Sequence, residues 1–443
     1  MMNQPKLALG IVWVLVLIAG CGRGPQSTTR VSTPADAAGP PMVKADDAAD
    51  PCTIALTPHE GTSRADEAII RLQQASRQSQ QPMAYLERLG WAFVAKARSS
   101  FDPGFYTLAE QCALCMASKQ PDSAEALLLH GHVLNQLHRF REGETLARQL
   151  VAQRGLSYDY GLLGDALMEQ GKIDDAVAAY DHMLQQKPSP QGYIRAAHVR
   201  WLTGDLPGAI QLMRMATNGF RDPEASAWSH VRLTLYELQA GQVQQATNRI
   251  AATIDAWPDY APALAVHGRL LLAEGEPHNA IAPLKRAVAL NPLPESQWLL
   301  IEALHAVDRT DEAKAVEQTL MQRGVADDRR TLALYLATTG RDPGLAVQLA
   351  QAEFKVREDV LTLDALAWAL RAAGKYQEAR AVNARAMKAG TRDARLFYHA
   401  GVIAAAVGEH EEASHWFARA TAERQMLLPS ERAQLIKAAA AIL

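Results

Sequence analysis

The hexapeptide Gly171-Lys172-Ile173-Asp174-Asp175-Ala176 decides the fold, because its pattern returns along the whole second part of the chain. The pattern is a glycine, a polar residue, three variable positions and an alanine. Further clear copies begin at Gly204, Gly241, Gly275, Gly374 and Gly408. Weaker copies begin at His138, Asp308 and Gly340, the last with one residue inserted.

The spacing of these copies is nearly constant. Their final position falls at residues 143, 176, 209, 246, 280, 313, 346, 379 and 413, in steps of 33 or 34 except for one step of 37. The longer step coincides with residues 218–223, a loop-forming sequence that ends in Asp222-Pro223. Twelve residues before each alanine lies a second marker, which is small in most copies (Gly131, Gly164, Ala197, Thr234, Gly268, Ala367 and Gly401) but not at Ile301. Such a period predicts an array of packed helical units.

The pattern resembles the tetratricopeptide repeat, a helix–turn–helix unit of 34 residues. The resemblance implies an all-α fold, a right-handed α–α superhelical solenoid of about nine or ten repeats. In such a repeat the early small residue lets helix A approach helix B. The mid-repeat glycine ends helix A in the left-handed conformation. The early tryptophan of the family is replaced here, for example by Leu127, Tyr160 and His230.

Sequence patterns outside the array set the predicted domain boundaries. Residues 1–20 form a signal peptide, 21–61 a disordered tether, 62–120 an N-terminal cap with an outlying repeat, 121–428 the solenoid, and 429–443 a closing helix. Amphipathic patterns predict helices over residues 63–79, 83–99, 104–117 and 430–443. The tether is rich in Pro, Ala, Ser, Thr and Asp, and its random-coil reach is about 35 Å.

The N-terminus reads as a bacterial export signal. Lys6 precedes an apolar run over residues 7–18, which is too short to span a bilayer comfortably. The run ends in Ile18-Ala19-Gly20-Cys21, which resembles the lipobox of bacterial lipoproteins. That resemblance implies lipidation of Cys21 and a periplasm-facing anchor in the cell envelope. Gly22 in place of an aspartate favours the outer membrane where there are two. A plain secretory signal with a chance cysteine, or an uncleaved anchor, is the alternative.

Composition argues against some partner classes. The chain of 443 residues has a formal net charge of −3 and no dense Lys/Arg run, whereas proteins that grip phosphate backbones carry a basic face. We therefore expect no nucleic-acid partner. The sequence contains no metalloprotease, hydrolase or nucleotide-binding motif, so we predict a protein that is not an enzyme and that needs no cofactor.

The cysteines and histidines support a second, weaker hypothesis. Cys112 and Cys115 form a CxxC motif, and a redox or metal-dependent envelope protein could use it or the histidines His132, His198 and His305. The motif lies inside a predicted helix with no strand beside it, so small core residues are the favoured interpretation. Cys52 lies in the predicted tether. It could pair with another chain or remain an incidental thiol.

The favoured function is a membrane-tethered scaffold that binds a protein or peptide partner. In tetratricopeptide proteins helix A lines a concave groove. The resemblance implies that this groove presents Asp165, His198, Trp201, Arg269, Trp298, Glu302, His305, Asp364, Trp368, Arg371 and Tyr398. Trp and Arg are enriched at binding hot spots. Alternatively, the three tryptophans fill gaps between adjacent repeats. A purely homo-oligomeric structural element is a third possibility.

Overall fold

The computed structural model describes residues 50–442, and every regular element in this range is a helix. The described chain divides into two compact units, residues 50–137 and residues 138–442. The first unit contains α1 (Pro51–Ala55), α2 (Arg64–Gln78), α3 (Met83–Ser100), α4 (Gly104–Lys119) and α5 (Ala124–Gln136). Across residues 50–442, no helix combines the length and the apolar character needed to cross a bilayer.

The second unit contains eighteen α-helices, α6 to α23. They are α6 (Phe140–Gln153), α7 (Ser157–Glu169), α8 (Ile173–Gln186), α9 (Pro190–Leu202), α10 (Leu206–Thr217), α11 (Pro223–Gln239), α12 (Val243–Ala256), α13 (Ala261–Glu274), α14 (Pro277–Leu290), α15 (Pro294–His305), α16 (Thr310–Asp327), α17 (Arg329–Thr339), α18 (Pro343–Phe354), α19 (Val360–Ala372), α20 (Tyr376–Met387), α21 (Ala394–Ala406), α22 (His410–Ala422) and α23 (Pro429–Ala440). A short 3₁₀ turn, Arg424–Met426, precedes α23.

The helices confirm the all-α repeat prediction. Each repeat supplies one helix A and one helix B, and the alanine that marks the repeat is fully buried in all eight copies that have it, from Ala176 to Ala413. The residue between the two helices has a positive φ in every repeat. This includes the weak copies, where His138 has φ 60° and Asp308 has φ 59°. The backbone turn is therefore kept where the glycine is lost, and His and Asp are among the non-glycine residues that enter the left-handed region most often.

The early small residue acts as the sequence predicted. A Cβ added to Gly164 in α7 would lie 2.3 Å from the ring of Tyr180 in α8. Only a glycine lets that ring lie directly on the backbone of helix A. The Tyr180 side chain is 2% exposed, so this close approach belongs to the core between the two helices.

The N-terminal unit contains the helices expected before the array. The predictions for residues 63–79, 83–99 and 104–117 correspond to α2, α3 and α4. The unit ends at residue 137, whereas the sequence placed the domain boundary at residue 120. The difference arises because α5, the first helix A of the array, packs on the two helices before it. The Leu129 side chain of α5 occupies the space above Gly90 of α3.

The structure corrects the prediction of a disordered tether at its C-terminal end. Residues 51–55 form α1, and Cys52 is bonded to Cys115 of α4 in a disulfide. Below α1, the Gln73 side chain donates hydrogen bonds to the carbonyl groups of Ala55 and Thr57, at 3.2 and 2.7 Å. Composition alone does not reveal this segment because one covalent bond and one buried amide order it. The signal peptide, Cys21 and the rest of the tether lie outside the described residues.

Within residues 138–442 the array closes on itself. The N–H of Glu358, in the loop between α18 and α19, donates to the carbonyl of Glu169 at the end of α7, at 3.2 Å. One repeat further on, the Thr391 hydroxyl donates to the carbonyl of Leu202. In the next repeat, the Gln425 side chain donates to the carbonyl of Gln239 at 2.9 Å.

These three contacts follow a single rule. Their partners are separated by 189, 189 and 186 residues, and each joins the turn after a helix A to a segment about five and a half repeats later. The helical array therefore completes one turn and lays its late repeats against its early ones. The closing segment adds a further contact, because the Ser430 hydroxyl donates to Glu302 at 2.6 Å.

The closure predicts different effects for two similar substitutions. Gly204 and Gly275 have φ values of 86° and 82°, so alanine is strained at both, by about 1–2 kcal/mol. A Cβ at Gly204 would also lie 2.5 Å from the carbonyl oxygen of Gly390 across the closure, whereas a Cβ at Gly275 meets nothing within 4 Å. We expect Gly204→Ala to lower stability by at least about 1 kcal/mol more than Gly275→Ala. Thermal unfolding followed by circular dichroism measures this, and equal losses would contradict a closed array.

Candidate functional site

Five of the eleven predicted groove residues line one pocket inside the closed turn. They are His198, Trp201, Arg269, Trp298 and Asp364. The pocket has a volume of about 210 Å³. The helices A of the early and middle repeats form one wall. The other wall comes from late segments, including Arg357 and Asp359 between α18 and α19 and Met426 before α23.

Two other predicted residues are held by partners within the protein. Asp165 accepts two hydrogen bonds from the guanidinium of Arg195, at 2.8 and 2.7 Å, and Arg195 is only 1% exposed. Glu302 accepts hydrogen bonds from the Ser430 hydroxyl and, at 3.0 Å, from the Ser430 N–H. Burial nevertheless raises the pKa of the Glu302 carboxyl. Both carboxylates join parts of the fold.

Trp368 and its neighbours form a packed cluster outside the pocket. The Trp368 side chain is 1% exposed, stacks on His399 with ring centroids 4.0 Å apart and donates to Thr338 at 3.0 Å. The guanidinium of Arg371 lies 5.0 Å from the same ring. The Trp368 side chain thus lies in the gap between adjacent repeats, as the alternative interpretation of the tryptophans expected.

Of the last two predicted residues, Tyr398 belongs to the Trp368 cluster, with its ring centroid 5.6 Å from that of Trp368, and His305 is separate from it. Tyr398 is 2% exposed and its hydroxyl donates to Gln434 of α23 at 2.8 Å. His305, at the end of α15, is exposed. The eleven residues therefore do not form one continuous surface.

The expected concave groove is not an open channel in this structure. Arg269 was predicted to face a ligand, and its guanidinium instead donates to the carbonyl of Met426 at 2.6 Å. The side chains of Leu427 and Leu428, beside Met426, are 2% and 3% exposed. Late segments of the chain thus occupy the space that an extended peptide would need. The repeat pattern could not reveal this, because it describes contacts between neighbouring repeats and not contacts across the turn.

The sequence missed several residues of the pocket. Arg232 and Tyr236 of α11 line it, as do Arg357 and Asp359. The predicted groove residues lie 15, 11 or 8 positions before the repeat alanine, whereas Arg232 lies 14 positions before Ala246. Its one signal in the sequence is an arginine between two apolar residues, Val231 and Leu233. Arg357 and Asp359 belong to a loop that only the closure brings to this site.

The charges inside the pocket are almost completely paired. The guanidinium groups of four lining arginines lie within 3.6 Å of a carboxylate: Arg269 with Glu295, Arg330 with Asp359, Arg357 with Glu169, and Arg395 with Glu431. Asp364 contacts His399 at 2.9 Å, and Asp393 accepts from the N–H groups that begin α21. Burial raises the pKa of the Glu169 and Asp393 carboxyls.

A second concave surface lies at the edge of the closure. It is an open cleft of about 590 Å³, which we call the seam cleft, between α6, the α7–α8 turn and the α18–α19 loop. Its charged lining residues are Arg141, Glu144, Arg148, Lys172, Lys355 and Glu358. Glu144 contacts Arg148 and Lys172, and Glu358 contacts Arg385. Arg141 and Lys355 have no carboxylate partner in the described structure, so the cleft carries an excess of positive charge.

The three cysteines that the structure describes do not form the reactive dithiol that the redox hypothesis requires. Cys115 is bonded to Cys52, and Cys112 is a fully buried free thiol whose pKa burial raises well above its usual range. A thiolate is the reactive form, so Cys112 is poorly suited to redox chemistry. His132 packs against Trp91 with ring centroids 5.2 Å apart. Within residues 50–442, no three His, Cys, Asp or Glu side chains are grouped as metal ligands.

Comparison with protein families supports the repeat assignment. A family model described as tetratricopeptide repeat matches residues 128–189, 162–226 and 232–293. The chain therefore contains tetratricopeptide repeats over these residues. Such repeats typically form non-catalytic scaffolds for protein–protein interaction, and the fold suggests protein or peptide partners. A search of the curated proteins found no match.

Several solved structures are similar to the chain. Yeast Tom70 shares 12% identity over 86% of this chain and 92% of its own, with a TM-score of 0.34. Pseudomonas aeruginosa pilF shares 14% identity over 46% of this chain and 93% of its own, with a TM-score of 0.40. A human IFIT1 dimer with PPP-AAAA shares 15% identity over 81% of this chain and 77% of its own, with a TM-score of 0.42. These low values add nothing about partners.

Proposed function

We propose that this protein is a lipid-anchored scaffold of the bacterial cell envelope that binds an acidic segment of a partner protein in the seam cleft. The excess positive charge of that cleft carries the proposal. Arg141 and Lys355 face solvent and contact no carboxylate within residues 50–442, while the interior pocket is too small for an extended peptide. A cleft that exposes unpaired cations attracts a segment of opposite charge.

The closure supports the cleft as a docking surface. One side of the cleft is α6 and the α7–α8 turn, and the other is the α18–α19 loop. The hydrogen bond between Glu358 and Glu169, and the ion pair between Arg357 and Glu169 at 3.2 Å, fix the two sides relative to each other. A rigid site loses less entropy when a ligand binds than a mobile one does.

The disulfide supports export of the chain. Disulfides such as Cys52–Cys115 form and persist in oxidising compartments and are rare in the cytosol. An envelope location agrees with the predicted signal peptide and with the lipobox that ends at Cys21. The anchor would hold the scaffold, and whatever it binds, close to the membrane surface. We propose the outer membrane where the organism has two membranes.

The anchor predicts where the protein is found after one substitution. Cys21→Ser removes the only thiol that the lipobox can lipidate, so we expect the protein to move from the membrane fraction to the soluble fraction. Fractionation of cells followed by immunoblotting measures the change. Cys112→Ser serves as a control that alters a cysteine and leaves the anchor. Membrane retention of the Cys21→Ser protein would disprove the lipid anchor.

The seam cleft predicts a site-specific contact with a partner. A photo-crosslinking amino acid placed at the exposed Thr145 in the cleft is expected to capture a protein in intact cells. The same amino acid at the exposed Asn248 of α12, outside the cleft, should capture none.

Charge reversal then tests whether the cations matter. Combining Arg141→Glu with Lys355→Glu should reduce the crosslink by about tenfold or more, while Arg221→Glu on an exposed loop should not. An equal crosslink from Asn248, or a crosslink insensitive to the reversal, would contradict docking in the cleft.

A further inference from the structure

In the part of the chain that the structure describes, the interior pocket contains one cation without a counter-charge. Among the described charged residues that line it, Arg232 is the one whose side chain neither contacts an oppositely charged group nor caps a helix. Its guanidinium donates to the Tyr236 hydroxyl at 3.5 Å and lies 5.3 Å from the centre of the same ring. The four other arginines of the pocket each contact a carboxylate.

We propose that this pocket binds a small organic monoanion, a carboxylate carried on a planar apolar group, with Arg232 holding the carboxylate. A partly buried guanidinium that has no counter-ion is a strong donor to such a group, because its planar fork matches the two carboxylate oxygens. Because Arg232 supplies a single uncompensated positive charge, we expect the ligand to carry one negative charge and not two.

A neutral imidazole lies near Arg232. The Nδ1 atom of His198 is buried and has no hydrogen-bond partner in the described structure. Burial, followed by the field of Arg232, lowers the pKa of His198 to about 3, so the ring carries no charge at neutral pH. A buried polar atom without a partner is destabilising. In the tautomer that carries its proton on Nδ1, this atom would donate a hydrogen bond to a carboxylate oxygen of a bound ligand.

The wall beside these groups suits a flat apolar body. The rings of His198 and Trp201 stack with centroids 5.6 Å apart. The Trp201 ring also stacks on that of Tyr236, with centroids 6.2 Å apart. The indole N–H of Trp201 donates to Gln239 at 2.8 Å, which fixes the plane of its ring. Leucines such as Leu235 and Leu299 complete the lining. Aromatic groups stack favourably in such surroundings.

The size of the pocket limits the ligand. Its volume is about 210 Å³, and a cavity of about 150 Å³ is known to hold benzene. A single aromatic ring with a short acidic side chain fits this space, and a folded protein segment does not. The inference therefore goes beyond the proposed function. It concerns a different surface and a different class of ligand from the acidic segment at the seam cleft.

The experiment compares acidic aromatic probes with one probe that lacks the charge and one that lacks the ring. Phenylacetate and 3-phenylpropanoate are titrated into the intact protein by isothermal calorimetry, together with the neutral amide phenylacetamide and with acetate, which lacks the ring. We expect an acid to bind with a Kd below about 1 mM, and the amide and acetate to bind at least about tenfold more weakly. Because this comparison uses the unaltered protein, it does not depend on how any variant folds.

Matched variants locate the carboxylate. Arg232→Gln should weaken binding of the acid by about tenfold or more, and Arg232→Lys should restore part of it. Arg221→Gln, on the exposed loop before α11, should bind as the unaltered protein does. Thermal unfolding checks that each variant is folded.

Three results would overturn the proposal. One is the absence of binding by either acid at about 10 mM, far above any Kd expected for a built site. The second is equal affinity for phenylacetate and phenylacetamide. The third is a folded Arg232→Gln protein that binds the acid like the unaltered protein. Each result is independent of the crosslinking at the seam cleft. Failure of the ligand proposal would leave the proposed scaffold function standing, and failure of the crosslinking test would leave the ligand proposal standing.

Discussion

The backbone hydrogen bond from Glu358 to Glu169 is the contact on which the rest of the C-terminal unit depends. It joins residues 189 positions apart and belongs to a row of contacts that lays late repeats on early ones. Without that row the array would be an open superhelix with a continuous concave groove. With it, the groove becomes a pocket, and a cleft appears at the edge of the closure.

Buried charges favour one alignment of the late repeats on the early ones. Arg357 is 5% exposed and lies between Glu169 of an early repeat and Glu353 of a late one, at 3.2 and 2.9 Å. It also donates to His138 at 3.0 Å. A buried ion pair adds little net stability, but separating its members inside a protein is costly. These charges therefore favour the one registry of early and late repeats in which every member is paired.

Much of the fold could be predicted from the sequence, because each repeat is defined by local packing. The alanine and glycine markers report contacts within one or two repeats, so the phase of the array and the turns at His138 and Asp308 could be placed. The helices before the array followed from amphipathic spacing. The order at residues 51–55 could not be predicted, because it depends on a disulfide to a residue 63 positions away.

The site could be predicted only in part for the same reason. His198, Trp201 and Arg269 lie on helix A positions that face inward in any repeat of this kind, and they do line the pocket. Their opposite wall consists of loops brought there by the closure, which leaves no periodic trace in the sequence. Arg232 lies one position from the inward-facing register. Its importance emerges only when the partners of the other arginines are known.

Hydrogen exchange at the amide of Glu358 tests the closure most directly. The amide belongs to a loop, and its acceptor is the carbonyl of a residue in a distant repeat. The account predicts that, in mass spectrometry at single-residue resolution, this amide exchanges as slowly as the amides inside the neighbouring helix α19. Exchange at the rate of an exposed loop, while α19 stays protected, would show that the array is open and would contradict the account.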